Sequence, residues 1–366
     1  MATPEELLKE DKIWINTKTS NSIEFHLLHD VKKDDFLLTE QIPEEYHKFI
    51  RVFDKEEANH FPESWVWDHK IKLKKGFQPK SFKAYNLTPE EQRELDTLKE
   101  NLEKGYIQPS KSSMATPFFF VKKKDRKLWP CQDYQYLNKW TIKNVYPLPL
   151  ISELMDKIKD GKYFTKLDIR WGYNNVQIKE GDEWEAVFKT NQGLYELTVM
   201  FFGVCNSLTT FQAMMDNIFE DLIEEGIMII YMDDMFLSAK TKEQLWENTK
   251  WVLQQLMEIN LYLKPKKCEF CREKIEWLGM VIQEGQITMD PGKLKGIQDW
   301  PAPTMVRQVQ GFLGFGNFYR RFIRGFSEIA WPLNKLWRKT GNLNGQLNVS
   351  RRSTIWKSVS LVNQYS

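Results

Sequence analysis

The sequence predicts an α+β fold, built from short apolar strands together with amphipathic helices. Two observations carry this prediction: apolar runs of strand length, one of them interrupted by two adjacent aspartates, and segments with leucine or methionine recurring at helical spacing. The chain has 366 residues, of which 42% are hydrophobic and 14% aromatic, so it is long and apolar enough to bury a sizeable core.

The helices are predicted from capping and periodicity. Residues 88–91 read Thr-Pro-Glu-Glu, a capping box with proline at the first helical position. Leucines at 95, 98 and 102 follow on one face, and Gly105 ends that helix. Further helices are predicted over about 211–222 and 243–259 and from Asp290-Pro291, with Thr304 capping the next one.

The central strands are predicted from residues 227–237, which are apolar on both sides of Asp233 and Asp234. This pattern indicates two short buried strands joined at the acidic step. Burying two ionised neighbours is costly unless a cation neutralises them, so the pair predicts a divalent-metal site. An adjacent aspartate pair is more often a solvated hairpin turn, but the apolar flanks and the lack of an Asn-Gly or Asp-Gly turn favour a site.

A third carboxylate, Asp168, stands near the end of the strand-like segment 163–169. An aspartate there would by itself more often be a surface or capping residue. Beside Asp233 and Asp234 it predicts a carboxylate triad drawn from separate elements, as needed to clamp two metal ions roughly 3.5–4 Å apart.

Charge is distributed unevenly, although the formal net charge is only +2. Residues 99–143 carry ten Lys or Arg against four Asp or Glu, and residues 305–340 carry seven against one. Residues 1–60 carry fourteen acidic against eight basic residues. A basic stretch is most often a solvated face, but two of them on either side of the carboxylate motifs favour a nucleic-acid cleft.

Several protein classes are disfavoured. No apolar run approaches the roughly 20 residues that span a bilayer, and the N-terminus lacks the basic and apolar regions of a signal peptide, so a cytoplasmic protein without membrane contact is expected. Four cysteines provide no disulfide framework for so long a chain. Cys268-x-x-Cys271 invites a zinc interpretation, but no second Cys/His pair follows at finger spacing, which favours reduced thiols.

An ordered series of motifs resembles the reverse transcriptase region of gypsy-type LTR retrotransposon Pol polyproteins, particularly the fungal kind. The resemblance runs from about residue 42 to about residue 338. A lone Tyr-x-Asp-Asp is a modest signal, whereas the ordered set is specific and disfavours other palm-containing polymerases, such as template-dependent RNA polymerases. The motifs lie at 111–125, 133–138, 146–149, 166–173, 202–203, 211–212, 231–234, 261–268, 277–279 and 312–322.

The resemblance implies a right-hand polymerase fold with fingers, palm and thumb. It implies fingers and palm over 81–284 and thumb or connection helices over 285–338, after a lead-in at 1–80 whose fold is unassigned. The family continues into an RNase H domain after about residue 339, whereas residues 339–366 are polar and unrelated. A disordered tail and a truncated piece of a polyprotein are therefore expected.

The resemblance also implies an RNA-directed DNA polymerase that uses dNTPs and an RNA or DNA template with its primer. Asp168, Asp233 and Asp234 would be catalytic and would bind two Mg²⁺ ions, for which Mn²⁺ can substitute, with the Ile169 carbonyl as an extra ligand. A homodimer is a further expectation. For the parent element, a virus-like particle or the nucleus stays open as a location.

Nucleotide contacts follow from the same resemblance. Tyr173 matches the aromatic gate that rejects a 2′-hydroxyl, although a buried ring there could equally be core. Other positions are expected to contact the triphosphate (Lys122, Lys124), to form the pocket floor (Phe202, Gly203), to protonate pyrophosphate (Lys267), to position the primer (Trp277–Gly279) and to face template-primer phosphate (Arg320, Arg321, Arg324).

Some positions depart from the family pattern. Trp129 stands where an arginine is expected to contact the incoming triphosphate, and an indole cannot replace a guanidinium on phosphate. Leu208 replaces a proline at a helix start, and Gln108, Ser113 and Gln135 replace Arg, Pro and Arg. Two hypotheses therefore remain: a working polymerase, or a catalytically impaired remnant that at most binds template-primer.

Overall fold

The computed structural model describes residues 38–122, 128–158, 160–298, 306–323 and 325–339. They divide into two compact units, with the boundary between residues 273 and 274. Within these ranges the strands are β1 Ile107–Pro109, β2 Thr116–Lys122, β3 Leu128–Gln132, β4 Tyr163–Asp168, β5 Val187–Lys189, β6 Leu194–Leu197, β7 Met228–Tyr231, β8 Asp234–Ala239, β9 Glu269–Arg272, β10 Lys274–Trp277, β11 Met280–Gln283 and β12 Gln286–Met289.

The helices that were predicted within the same ranges are found at or near their predicted positions, and the structure adds others. The predicted helix at 243–259 is confirmed as α8, and the predicted segment at 211–222 is divided between α6 and α7. The helices are α1 Leu38–Gln41, α2 Pro89–Arg93, α3 Asp96–Glu103, α4 Gln135–Trp140, α5 Ile151–Ile158, α6 Ser207–Ile218, α7 Glu220–Glu224, α8 Lys242–Glu258, α9 Pro291–Gln298, α10 Val306–Phe318 and α11 Phe326–Lys339. None of them is long and apolar enough to cross a membrane.

The capping box at the start of α2 forms as predicted. The Glu91 amide donates to the Thr88 hydroxyl at 3.3 Å, and the Thr88 amide donates to the Glu91 carboxylate at 2.7 Å. The helical run that follows is broken into α2 and α3, and the buried Leu95 and Leu98 anchor it in the core. Thr88 therefore caps α2 as predicted, while the predicted apolar residues Leu95 and Leu98 lie beyond its end, at the start of α3 and within it.

A five-stranded sheet in the larger unit has the order β1-β6-β5-β2-β3. Its pairs are antiparallel except β2 with β5, which run parallel. Phe118 on β2 packs against Phe120 and Phe188 with ring centroids 5.1 and 5.7 Å apart. These buried rings explain why the Phe-Phe-Phe-Val run forms a central strand, since aromatic side chains pack well across neighbouring strands.

A four-stranded antiparallel sheet in the same unit has the order β7-β8-β4-β9. Strands β7 and β8 are almost entirely buried, as the apolar run around the aspartate pair predicted. Helix α8 covers this sheet with one apolar face. That face consists of Leu245, Thr249, Val252, Leu253 and Leu256.

The segment from Ile42 to Phe53 belongs to the same core. It contains a 3₁₀ helix, Glu44–Phe53, in which Tyr46, Phe49, Val52 and Phe53 are buried. The Leu263 amide donates to the Val52 carbonyl at 2.8 Å, which ties this segment to the loop before β9. The described part of the predicted lead-in therefore packs within the larger unit, while residues 1–37 lie outside the described residues.

The smaller unit contains the antiparallel sheet β10-β11-β12 and helices α9 to α11. Leu278 and Gly279 join β10 to β11 with φ of 49° and 73°, as a tight hairpin with two left-handed residues requires. The Asp290 amide donates to the Gly279 carbonyl at 3.1 Å just before α9, which starts where predicted.

The predicted limits of the fingers, palm and thumb subdomains stay predictions. The compact units divide after residue 273, whereas the predicted limit at 284 falls in the turn between β11 and β12. The predicted cap at Thr304, Arg324 and the predicted tail from 340 onward lie outside the described residues.

Candidate active site

The two adjacent aspartates lie at the tip of the β7–β8 hairpin. Tyr231 pairs with Asp234, so Met232 and Asp233 form a two-residue turn. Met232 has a φ of 57°, a left-handed conformation that is unusual for a residue with a side chain. The predicted strand-turn-strand is confirmed, with its tip held in a conformation that needs support from elsewhere.

Gln212 on α6 supplies that support. Its side-chain carbonyl accepts a hydrogen bond from the Met232 amide at 2.8 Å, and its side-chain amide donates to the Ile230 carbonyl at 3.1 Å. The same amide donates to Asp216 at 2.7 Å, and Gln212 is fully buried. From the sequence, Gln212 is identified only as part of the motif at 211–212. Its position next to the apolar face of a predicted helix was the one sign that it supports the site.

Strand β4 brings Asp168 beside the hairpin. Asp168 and Asp234 are directly paired across the antiparallel β4–β8 ladder, and the Ile169 amide donates to the Asp233 carbonyl at 3.0 Å. Directly opposed residues of such a pair have Cα atoms about 4.5–5.5 Å apart. The structure therefore brings all three predicted carboxylates, and the backbone of Ile169, to one end of the sheet.

The carboxylates of Asp168 and Asp233 are buried, with 4% and 7% of their surface exposed. Burial raises the pKa of Asp233 to about 7; the Asp168 and Asp234 carboxylates add to this rise, and Lys264 opposes it. Burial likewise raises the pKa of Asp234 to about 7, with Asp168 adding to the effect. Full ionisation of this cluster at neutral pH therefore requires cations nearby.

Two lysines next to β9 provide positive charge at Asp168. The Lys264 ammonium lies 3.1 Å from Asp168 Oδ1, and the Lys267 ammonium lies 3.4 Å from Oδ2. Burial lowers the pKa of Lys267, which makes its proton easier to give up, although Asp168 opposes this shift. Lys264 was not singled out from the sequence; its only signal was the basic run 264–267.

The donor set suits a hard divalent cation, because carboxylate and carbonyl oxygens are the ligands such ions prefer. Among the described residues, no three His, Cys, Asp or Glu side chains already form a metal-ligand cluster. Asp168 instead meets Lys264 and Lys267. The ligand atoms and the pairing of the strands thus suit a divalent metal ion. In this structure the ammonium groups of two lysines contact one of the three carboxylates, that of Asp168.

Gly172 leaves room for the Asp233 carboxylate. A Cβ at this position would overlap Asp233 Oδ1 and would lie 2.9 Å from the ring of Phe211. Trp171 just before it is left-handed with φ of 50°, and its carbonyl accepts from Asn175 Nδ2 at 2.9 Å. The chain after Asp168 therefore bends tightly over the carboxylate site, a role for Gly172 that the sequence analysis did not identify.

Tyr173 and Phe202, both predicted nucleotide contacts, are brought together. Their ring centroids lie 4.6 Å apart in an edge-to-face arrangement, and Tyr173 also packs 5.5 Å from Phe211. Tyr173 is 4% exposed and Phe202 is 44% exposed. Burial raises the pKa of Tyr173, with Asp233 as the next contribution, which places its hydroxyl in the electrostatic field of the triad.

The structure also shows the settings of Lys122 and Gly203, two further predicted nucleotide contacts. Lys122, at the end of β2, pairs with Glu90 of α2 at 3.2 Å, and both side chains are exposed. Lys124 lies outside the described residues. Gly203 has a φ of 102°, and its carbonyl accepts from Asn138 Nδ2 at 2.8 Å, so a glycine is required there by backbone conformation.

Three departures from the family pattern have structural settings. Trp129 lies on β3 opposite Val121 with 37% of its surface exposed. Leu208 lies in the first turn of α6 and packs against the core. Gln108 on β1 donates to Glu196 at 2.7 Å.

Among the described residues, the cysteines of the Cys-x-x-Cys motif belong to no group of three or more potential His, Cys, Asp or Glu metal ligands. Burial raises the pKa of Cys268 to about 12, and its thiol donates to the Lys264 carbonyl at 3.3 Å. Burial also raises the pKa of Cys271. Both are free thiols, and Cys268 helps to hold the lysine-bearing loop.

Comparison with known proteins bears on this site. Residues 121–282, which include all three aspartates, match the family "Reverse transcriptase (RNA-dependent DNA polymerase)". The chain carries a reverse transcriptase domain. The resemblance to LTR-retrotransposon proteins is confirmed by the Transposon Tf2-3 polyprotein of Schizosaccharomyces pombe, which is 30% identical over 334 residues, 89% of this chain. The Transposon Tf2-7 polyprotein is 29% identical over the same length.

Two solved reverse transcriptase structures are similar in fold to this chain. A foamy viral protease-reverse transcriptase solved with an RNA/DNA hybrid has a TM-score of 0.71 at 20% identity, covering 99% of this chain and 46% of that one. A second, solved with dsDNA, has a TM-score of 0.74 at 21% identity, covering 100% and 73%. The predicted α+β polymerase fold is confirmed. The chain spans about a quarter (25%) of the length of the Tf2 polyproteins that it matches.

Proposed function

We propose that this reverse transcriptase domain is an RNA-directed DNA polymerase that adds dNTPs to a primer 3′-hydroxyl. The observation that carries the proposal is the pairing of Asp168 with Asp234 beside the Met232-Asp233 turn, which gathers three carboxylates at one sheet end. Reverse transcriptases depend on divalent metal. We propose two Mg²⁺ ions here, replaceable by Mn²⁺, held by Asp168, Asp233 and Asp234 with the Ile169 carbonyl.

When bound, the metal ions would lower the pKa of the primer hydroxyl and neutralise the triphosphate and the leaving pyrophosphate. Asp168 and Asp234 hold their positions through the sheet register and Asp233 through the β7–β8 turn, so little rearrangement is needed at the moment of reaction. Lys267, whose pKa is lowered by burial, would donate the proton to pyrophosphate.

Tyr173 and Phe202 would form the sugar-facing part of the nucleotide pocket. Tyr173 is wedged between Phe202 and Phe211, so its ring cannot move aside easily, as a gate against a 2′-hydroxyl requires. Gly203 follows Phe202 and would contribute backbone to the pocket floor. Lys122 and Lys124 would reach triphosphate oxygens, in which case Lys122 must leave Glu90.

The nucleic acid partner would be an RNA or DNA template with its primer, as the foamy viral complexes with RNA/DNA hybrid and dsDNA suggest. The basic residues of 99–143 would hold backbone phosphate. The Trp277–Gly279 hairpin would position the primer, and Arg320 and Arg321 would contact phosphate. Homodimerisation and a location in the cytoplasm, a virus-like particle or the nucleus stay predictions.

Primer extension on poly(rA)/oligo(dT) in Mg²⁺ or Mn²⁺ tests the proposal, with Asp233→Asn as the blank and Trp129→Arg beside it. Extension that vanishes in the blank would support a working polymerase in which Trp129 is tolerated. Silence rescued by Trp129→Arg would identify an enzyme disabled at nucleotide binding. Salt-dependent template-primer binding without extension by either protein would favour the impaired remnant instead.

A further inference from the structure

The Asp168 carboxylate is held on both of its oxygens by lysine. Lys264 lies 3.1 Å from Oδ1 and Lys267 lies 3.4 Å from Oδ2. The side chains of Asp168, Lys264 and Lys267 are 5%, 24% and 23% exposed, respectively. Solvent and salt screen such partly buried pairs much less than surface pairs, so the two lysines contribute substantially to the charge balance at Asp168.

The loop that carries these lysines is built against Asp168. The Lys264 amide donates to the Asp168 carbonyl at 2.9 Å, and the Lys267 amide donates to the Lys264 carbonyl at 3.0 Å in a 3₁₀ turn that begins at Pro265. The Cys268 thiol donates to the same Lys264 carbonyl at 3.3 Å. These bonds fix the main chain of Lys264 beside Asp168, within reach of the ion pair that its ammonium group makes with the carboxylate.

A metal ion and an ammonium group repel each other, so they cannot share one carboxylate oxygen without cost. A divalent ion that binds Asp168 must therefore displace the Lys264 ammonium group, or its binding is weakened by the repulsion between the two charges. Lys264 is the better candidate for displacement, because Lys267 has a separate proposed role as proton donor.

We propose that Lys264 is a placeholder cation, whose ammonium group neutralises Asp168 until a divalent metal ion takes its place, so that Lys264 sets the metal concentration at which the site fills. This inference rests on the proposed metal-dependent function and adds the regulation of the same site. It makes Lys264 a positioning residue that acts through Asp168.

The test measures Mn²⁺ binding to the full chain from the loss of the free-ion signal in electron paramagnetic resonance. Lys264→Met should bind Mn²⁺ about tenfold more tightly than the unmodified chain, because it removes the competing charge. Lys264→Arg keeps that charge and should bind nearly as the unmodified chain does. Lys266→Met removes an exposed charge from the same turn and should leave the affinity unchanged.

Thermal unfolding gives a second readout. Without metal, Lys264→Met should melt at a lower temperature than the unmodified chain, because Asp168 loses a neutralising partner, and Mn²⁺ should abolish this difference in melting temperature. Should Lys264→Met not fold without metal, Lys264→Gln, which keeps a hydrogen-bond donor, takes its place in both measurements.

The outcomes separate this inference from the proposed function. Saturable Mn²⁺ binding that is lost in Asp233→Asn but is equal or weaker in Lys264→Met would overturn the placeholder role alone. An unmodified chain without saturable binding would overturn the metal-dependent function, and the placeholder role with it.

Discussion

The side-chain carbonyl of Gln212 accepts a hydrogen bond at 2.8 Å from the amide of Met232, the left-handed residue at the tip of the acidic hairpin. A helix thereby fixes the conformation of the turn that presents Asp233. Left-handed backbone costs an ordinary residue about 1–2 kcal/mol, so the turn persists only where surrounding groups compensate. Gln212 joins the core of the larger unit to the geometry of the candidate active site.

Gln212→Leu should reveal this coupling, because leucine has a similar size but no polar group. The Met232 amide and the Ile230 carbonyl would lose buried partners, which should lower the free energy of unfolding by about 2 kcal/mol or more. Primer extension should fall further than template-primer affinity. Urea unfolding and extension assays check this, with the exposed Asn217→Ala on the same helix as control. Unchanged stability and extension in Gln212→Leu would contradict the role.

Gly172→Ala should disable the site by displacing the Asp233 carboxylate. The added methyl overlaps Asp233 Oδ1 and presses on the Phe211 ring, so we expect extension to drop about a hundredfold and stability to fall by about 1–3 kcal/mol. Gly311→Ala on α10 is the matched control, since its Cβ meets no atom within 4 Å. There alanine should be neutral or stabilising by about 0.5–1 kcal/mol. Equal behaviour of the two variants would refute the steric argument.

His69 should make stability depend on mildly acid pH. It is buried, its Nδ1 lies 3.0 Å from the Thr210 hydroxyl, and burial lowers its pKa to about 4 from an ordinary 6.5. Between these values the unfolded chain binds a proton that the folded chain does not. The free energy of unfolding is therefore at its full value above pH 6.5, where His69 is neutral in both states. It decreases by on the order of 3 kcal/mol as the pH falls towards 4.

The contribution of His69 is isolated by comparison with His69→Asn, which keeps a polar group near the Nδ1 position. Urea unfolding of both proteins at pH 4.5 to 7.5 gives the pH dependence of their difference. The comparison is needed because Glu185, whose pKa is raised to about 7 by burial, changes the stability with pH in the direction opposite to His69. This change is the same in both proteins, so it cancels in their difference. Parallel stability curves would show that His69 does not titrate as stated.

Tyr173→Ala should relax discrimination between dNTPs and rNTPs, whereas Tyr173→Phe should retain it. The ring, edge-to-face with Phe202 at 4.6 Å, is what would block a 2′-hydroxyl, and phenylalanine preserves it. We expect selectivity to fall roughly ten- to hundredfold in the alanine variant, measured as the ratio of incorporation efficiencies. Reduced stability with unaltered selectivity would instead favour the interpretation of Tyr173 as a core residue.

Local features were predictable from the sequence where local chemistry decides them. The capping box at Thr88, the helix at 242–258, the strands flanking Asp233 and Asp234, and the strand ending at Asp168 all form. Side-chain period, apolar run length and capping chemistry act within a few residues, and the motif order identified the family. The same signals did not show that residues 42–53 pack within the larger unit.

The supports of the site were decided by tertiary structure. Gln212 contacts a turn twenty residues away, Lys264 contacts Asp168 from the loop before β9, and Gly172 leaves space for a carboxylate from the β7–β8 turn. Each contact joins segments distant along the chain, so no periodicity or spacing encodes it. The sequence by itself determined which residue types carry the chemistry. The pairing of β4 with β8, and the packing of α6 against the hairpin, decided how close those residues come, because hydrogen-bond register and close packing exist only in the folded chain.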